Sequence, residues 1–191
     1  MSLFAAVVSF ALPDVDHGPG RLRPVVYHLL LLAGAALAAS SLAVFGPTLH
    51  GLAAAVFCLA LVLVTATDLE YRLIPNRIVA PASLVVLPFM TLSHPSFEWL
   101  AAALAAAAFL FAFSVVSPQG MGMGDVKLAF LMGAALGRDV AVALVLATLA
   151  SLLPSIAILV KHGRAGRKVG FPFGPFLALG SVGALFLGAA S

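Results

Sequence analysis

The sequence predicts an all-α membrane protein, a polytopic bundle of about seven transmembrane helices. Of the 191 residues, 63% are hydrophobic and 9% are charged, whereas soluble domains carry about 25% charged residues. Apolar stretches of about 20 residues, each long enough to cross the hydrocarbon core of a bilayer, follow one another from residue 25 onward. We therefore expect one membrane-embedded domain over residues 25–191.

Residues 1–24 are expected to form a loose or interfacial N-terminal segment. Their apolar run, SLFAAVVSFAL, is too short to span a bilayer and leads into PDVDHGPG. A secretory signal peptide is the alternative, but the run has no basic flank before it and no clear small-residue cleavage site after it.

Turn and charge signals divide the remaining chain into seven helical stretches. The separators are GPT, DLEYRLIPN, SHPS, QGMGMGD, GRD and KHGRAGRK, which contain residues that end helices or favour turns. The predicted helices are 25–45, 49–67, 77–92, 97–117, 126–136, 140–160, and a seventh from FPFGPF (171–176) to the C-terminus. The fifth is short enough to be a core helix buried among its neighbours instead of a span.

The basic residues predict the orientation. With Arg21 and Arg23 in the cytoplasm, seven crossings leave Arg138 as the one basic residue of ten on the outside, in agreement with the positive-inside rule. The chain is thus expected in the inner (plasma) membrane, beginning inside and ending outside. Since these loops account for the net charge of +3, the expected partner is the lipid bilayer and not nucleic acid.

Asp68 closes the second predicted helix and Asp125 opens the fifth, with two crossings between them. An even number of crossings returns the chain to the same face, so both carboxylates are expected at similar depth on the cytoplasmic side. Acids at such depth are costly and mark functional sites. Two carboxylates a few ångströms apart share a proton, and such a pair hydrolyses peptide bonds in aspartic proteases: one takes a proton from water while the other hydrogen-bonds the carbonyl.

The residues near these acids supply further candidates. Gly120, Gly122 and Gly124 alternate ahead of Asp125 and predict a strand-like wall, because a backbone without Cβ atoms lets an extended substrate approach. The alternative is local: Asp125 caps a helix, Asp68 marks a boundary, and the glycines form a loop.

Other candidates for substrate contact lie near the same predicted membrane face. Lys127 is one, with binding to lipid phosphate or an effect on a nearby carboxylate as alternatives. Pro172, Gly174 and Pro175 interrupt helical geometry, either as a substrate-facing wall or as ordinary helix-start chemistry. Glu70 and Arg72 are expected to be solvated in a loop.

Three segments resemble the type IV prepilin peptidase family, membrane aspartyl proteases that process pilin-like precursors. DLEYRLIPN (68–76) is similar to that family's first aspartate followed by Ile-Pro-Asn, GMGDVKL (122–128) to its Gly-x-Gly-Asp motif followed by lysine, and FPFGPFLALG (171–180) to a third segment. The resemblance spans roughly residues 49–191. It implies that Asp68 and Asp125 are the catalytic pair, that Gly122 and Gly124 stand beside the second acid, and that a precursor is cleaved in the cytoplasm between its basic leader and its hydrophobic helix.

The chain differs from the long members of that family, which carry a cysteine-rich cytoplasmic insertion and also methylate the new N-terminus. Here Cys58 is the single cysteine, and a few residues separate the first two predicted helices. This resembles the short, peptidase-only branch that serves tight-adherence (Flp) pili. No cofactor and no metal are expected, since the five histidines are scattered without ligand spacing.

Two other functions stay open at this point. A proton-coupled transporter would use the acids as a relay, but it favours internal repeats and acids near the membrane midplane, whereas both acids here lie at predicted helix ends. A catalytically inactive pilus-assembly factor would tolerate replacement of either aspartate.

Overall fold

The computed structural model describes residues 24–116, 122–162 and 172–189. Within these ranges the chain forms seven α-helices and no β-strand. We label the helices α1 (Pro24–Phe45), α2 (Leu49–Tyr71), α3 (Asn76–Ser93), α4 (Glu98–Val116), α5 (Met123–Leu136), α6 (Val140–His162) and α7 (Gly174–Gly188), with a 3₁₀ turn over Gly137–Asp139 between α5 and α6. The predicted all-α fold is confirmed.

Several predictions concern residues outside the described part of the chain. These are the N-terminal segment 1–23, Gly120 of the glycine loop, the basic residues between 163 and 168, and residues 190–191. The division of residues 1–24 from the membrane domain therefore stays a prediction.

Two helix boundaries differ from the sequence prediction around the acids. Helix α2 continues to Tyr71, four residues beyond the predicted end at Thr67, and α5 begins at Met123, three residues before the predicted start at Val126. Helix α2 stops where Arg72 adopts a left-handed conformation (φ 55°, ψ 38°), and Pro75 follows shortly after. Since the residue before a proline disfavours helix, the chain cannot resume helical geometry until Asn76.

Helices α2 and α5 supply most of the buried core. Phe57, Leu61 and Val64 of α2 and Leu128 and Met132 of α5 are almost entirely inaccessible. Helix α2 packs against α1, α3, α5 and α7, and α5 packs against α3 and α4. The two helices that carry the acids are therefore held by neighbours on several sides.

Small residues let neighbouring helices approach closely. A Cβ at Gly133 would overlap the backbone of Ala102 and Ala103 in α4, and a Cβ at Gly180 in α7 would overlap the backbone of Ala143 and Ala147 in α6. Close backbone approach at small residues is a common way for helices to associate in lipid, where burial of apolar surface between helices provides little driving force.

Five segments are long and apolar enough to cross a membrane, as judged by length and composition within the described residues. Four of them are most of α1 and the whole of α2, α3 and α4, while the fifth, Met123–Ile156, runs through α5, the 3₁₀ turn and most of α6. Helix α7 is a shorter apolar helix of 15 residues. The polytopic helical bundle is thus confirmed, whereas seven crossings with a cytoplasmic N-terminus stay a prediction.

Candidate active site

Asp68 lies in the last turn of α2, and its side chain is buried with 6% of its surface accessible. Its Oδ2 accepts a hydrogen bond of 2.9 Å from the backbone N–H of Gly174, the first residue of α7. The contact joins positions 106 residues apart in the chain. Asp68 is therefore held by the start of α7 as well as by its own helix.

Asp125 lies in the first turn of α5 and is also buried, with 9% of its surface accessible. Its Oδ2 accepts a hydrogen bond of 3.2 Å from the N–H of Gly122, the residue that caps the helix. A carboxylate in this position satisfies an N–H at the helix start and interacts favourably with the helix dipole. The local interpretation of Asp125 is thus correct in part, since Asp125 takes part in the cap but the N-cap residue itself is Gly122.

The two carboxylates lie near each other at one end of the bundle. Helices α2 and α5 pack together, and Asp68 is within electrostatic range of Asp125. Among the described residues neither acid forms a salt bridge. The structure therefore brings the two acids predicted from the sequence to the same end of the bundle.

Two glycines near the acids leave no room for a side chain. A Cβ added to Gly174 would lie 2.8 Å from Oδ2 of Asp68, and a Cβ added to Gly124 would lie 2.8 Å from Cβ of Ile74. At Gly122 the nearest atom, Oδ2 of Asp125, would be 3.8 Å away, an ordinary contact. Gly174 and Gly124 therefore permit packing within the protein itself, a role that the sequence analysis did not assign to them.

Lys127 is exposed, and its Nζ donates a hydrogen bond of 2.8 Å to Oδ1 of Asn76. An ammonium group is a donor and cannot accept, which identifies the Asn76 atom in this contact as the carbonyl oxygen. Asn76 is the first residue of α3 and was not among the predicted site residues. The signal that could have found it is its place in the Ile-Pro-Asn part of the motif that follows Asp68.

The remaining predicted site residues lie at the start of α7. Pro175 is the second residue of this helix, where the missing N–H costs nothing because that position has no intrahelical acceptor. Pro172 precedes the helix and is half-buried. The structure thus explains Pro175 as a helix-start residue, and its contact with substrate, like that of Pro172, stays a prediction.

The prediction that Glu70 is solvated in a loop is wrong. Glu70 belongs to the last turn of α2 and is buried, with 4% of its surface accessible. The error follows from the helix boundary, since ending α2 at Thr67 placed Glu70 outside the helix. Arg72 is exposed, as expected, but it terminates α2 instead of lying in a longer loop.

Comparison with known proteins places the sequence in a family. Residues 55–160, more than half of the chain, match the type IV leader peptidase family. The chain belongs to this family. The matched range includes Asp68, Asn76, Asp125 and Lys127, while the start of α7 lies beyond it.

Curated relatives agree with the family match. Proteins named prepilin leader peptidase/N-methyltransferase from Burkholderia pseudomallei strains 1026b and K96243 are each 34% identical to the chain, over 85% of its length and 55% of theirs. A protein of the same name from Bacillus subtilis strain 168 is 34% identical over 88% of the chain and 69% of the relative. The chain thus spans about half the length of the Burkholderia relatives. No solved structure matches it significantly.

Proposed function

We propose that the protein is a membrane-embedded aspartic endopeptidase that removes the leader peptide from type IV pilin-like precursors. The observation that supports this most is the pair formed by Asp68 and Asp125, two buried acids at one end of the bundle that are held by glycine amides. Because the chain belongs to the leader peptidase family, we assign peptide hydrolysis to this pair. Hydrolysis by two aspartates needs one shared proton and one water.

Within the described residues, the hydrogen bonds involve Oδ2 of each carboxylate and leave Oδ1 for the proposed chemistry. Oδ2 of Asp68 is held by Gly174 and Oδ2 of Asp125 by Gly122, and the described residues give neither Oδ1 atom a hydrogen bond. In the proposed reaction the ionised carboxylate takes a proton from water as the water oxygen attacks the carbonyl carbon. The protonated carboxyl donates a hydrogen bond to the carbonyl oxygen.

Collapse of the tetrahedral intermediate completes the reaction. The C–N bond breaks, and the leaving amine takes the proton that the first carboxylate received from water. The pair then returns to its starting state with one shared proton. Every proton in this scheme is exchanged among the two acids, the water and the peptide.

The proposed substrate has a basic leader followed by a hydrophobic helix. Its scissile segment must be extended, because a helical peptide bond is shielded by its own turns. Gly122 supports such a binding mode, since it is exposed next to Asp125 and has extended geometry (φ −83°, ψ 153°). An extended peptide could pair with backbone of this kind as an added strand.

The proposed site faces the cytoplasm of the inner membrane. Arg72, Arg77 and Lys127 lie in or beside the elements that carry the acids, whereas Arg138 lies at the opposite end of α5, and an excess of basic residues marks the cytoplasmic side. A reporter fused after Ser191 should behave as extracytoplasmic. Cytoplasmic activity of that reporter would contradict an odd number of crossings from a cytoplasmic N-terminus.

We restrict the proposal to cleavage. Cys58 is the single cysteine of the sequence, whereas the long members of the family carry a cysteine-rich insertion, and three residues, Gly46 to Thr48, separate α1 from α2. This arrangement supports the short, peptidase-only branch that serves Flp-type pili.

The test uses the protein reconstituted in lipid vesicles together with a candidate prepilin. Sequencing of the product should show a new N-terminus just ahead of the hydrophobic helix, and vesicles without the protein serve as the control. Adding a methyl donor should leave the product mass unchanged. An intact precursor, or a cut within the hydrophobic helix, would contradict the peptidase; a mass gain of one methyl group would contradict the restriction to cleavage.

A further inference from the structure

The connection between α2 and α3 contacts the start of α5 at two points. Ile74 packs against Gly124 so closely that a Cβ on the glycine would lie 2.8 Å from Cβ of Ile74. Two residues further on, Asn76 accepts the hydrogen bond of 2.8 Å from Lys127. We call these four residues the clamp.

The clamp is placed where it can control the two acids. Gly124 directly precedes Asp125 and Lys127 follows it by two residues, while Ile74 and Asn76 follow Asp68 after the helix end at Tyr71. One side of the clamp is therefore covalently close to Asp68 and the other to Asp125. A shift of the connection relative to α5 would change the separation of the carboxylates.

We propose that the clamp sets the distance between the two carboxylates, so that Ile74, Asn76 and Lys127 are positioning residues for the reaction. This inference rests on the proposed function. A shared proton and a water held between two acids require a separation fixed within a fraction of an ångström, and misplacement by about 1 Å can cost about a hundredfold in rate. The hydrogen bond and the apolar contact fix the connection in two different ways.

In this proposal Lys127 acts through Asn76 and does not bind substrate or lipid phosphate directly. A lysine that binds substrate or lipid phosphate has no need of Asn76, and its loss weakens binding. A lysine that holds Asn76 acts through the acids, so its loss slows turnover without weakening binding. Measurements of kcat and KM therefore distinguish the two roles.

The test measures kcat and KM for prepilin cleavage by wild type, Asn76→Ala, Lys127→Met and the double variant in lipid vesicles. Each single change should lower kcat by about tenfold, with KM changed less than about twofold, and the double variant should be no slower than the worse single one. Asn76→Asp should keep kcat within about threefold of wild type, because a carboxylate also accepts a hydrogen bond from Lys127.

The apolar contact is tested separately through Gly124. Gly124→Ala should lower kcat by about tenfold or more, and Gly124→Ala combined with Ile74→Gly should recover part of the loss, because removing the Ile74 side chain makes room for the added methyl. Gly34→Ala is the matched control, since the Cβ there would meet Leu59 and Val62 side chains at an ordinary 3.5 Å.

The outcomes distinguish the clamp from the proposed function when Asp68→Asn is measured in the same series. The clamp would be overturned if the Asn76 and Lys127 variants had independent effects, or if they raised KM and left kcat unchanged. If Asp68→Asn were inactive in the same series, the proposed peptidase would still stand. An active Asp68→Asn would overturn the function itself. If Asn76→Ala fails to reconstitute, Asn76→Ser carries the same expectation, because its side chain is too short to reach the ammonium.

Discussion

At one end of the bundle Glu98 meets Arg138, with 2.8 Å between a carboxylate oxygen and the guanidinium Nε. At the other end Asp68 and Asp125 meet the backbone amides of Gly174 and Gly122. The Arg138 side chain is 85% exposed and that of Glu98 is 33% exposed, whereas both aspartates are buried. One end thus pairs an acid with a cation near the surface. The other end buries two acids near each other with no salt bridge among the described residues, although Arg72 lies within electrostatic range of Asp68.

The residues that surround the two ends also differ. Near Glu98 the rings of His50, His94 and Trp99 pack together, and Nε1 of Trp99 donates a hydrogen bond of 3.1 Å to the carbonyl of His94. These contacts connect the start of α2, the end of α3 and the start of α4. The comparison indicates that the Glu98 end joins helices, while the other end bears the cost of burying two acids, which is typical of a functional site.

The largest effect outside the acids themselves is expected at Gly174. Gly174→Ala places a Cβ 2.8 Å from Oδ2 of Asp68, which forces the acid or the start of α7 to move. We expect cleavage to fall by about a hundredfold, in line with the cost of a misplacement of about 1 Å. Initial rates in vesicles measure this, with Gly183→Ala in the same helix as the control, since the nearest atom there is the flexible end of Leu146. Cleavage at the wild-type rate by Gly174→Ala would show that the position of Asp68 does not depend on its contact with α7.

A smaller effect is expected at Gly122. Its backbone angles suit any residue, and a Cβ there would meet its nearest atom at 3.8 Å. We therefore expect Gly122→Ala to fold normally and to keep kcat within about threefold of wild type, but to raise KM for the precursor, because the added methyl would face the proposed extended substrate. An unchanged KM would contradict a substrate backbone lying against Gly122.

The smallest effect is expected at the Glu98 end. An exposed salt bridge contributes about 0.2–1 kcal/mol, so Arg138→Gln should lower the free energy of unfolding by no more than about 1 kcal/mol and leave cleavage unchanged. Thermal unfolding in detergent and cleavage rates in vesicles check the two parts. Loss of cleavage in a variant that unfolds normally would mean that the two ends are coupled, which contradicts the division drawn here.

The sequence was sufficient to predict the helical bundle and the meeting of the two acids. Apolar length identified the helices, and an even number of crossings placed Asp68 and Asp125 at one face, where the structure brings them together. The end of α2 was missed because the strongest stop signal, Pro75, comes after a stretch of polar residues that also favours a turn. That error alone hid the burial of Glu70.

The contacts that hold the acids could not be predicted in the same way. The hydrogen bond from Gly174 to Asp68 and the packing of Ile74 on Gly124 join residues that are far apart in the chain. Helical periodicity and crossing counts fix which end of the bundle a residue occupies, but not its neighbour across the gap between two helices. The motifs identified the candidate residues, and the structure shows what several of them touch.

The central claim is that Asp68 and Asp125 act as one unit, and initial cleavage rates of four proteins test it most directly: wild type, Asp68→Asn, Asp125→Asn and the double variant, each at matched amounts in vesicles. An amide is nearly the same shape as the carboxylate but cannot exchange the proton, so each single change should reduce cleavage by about a thousandfold or more while the protein still folds. The double variant should be no slower than either single one, because the first removal already disables the pair. Cleavage near the wild-type rate by either folded single variant, or losses that multiply in the double variant, would contradict the claim.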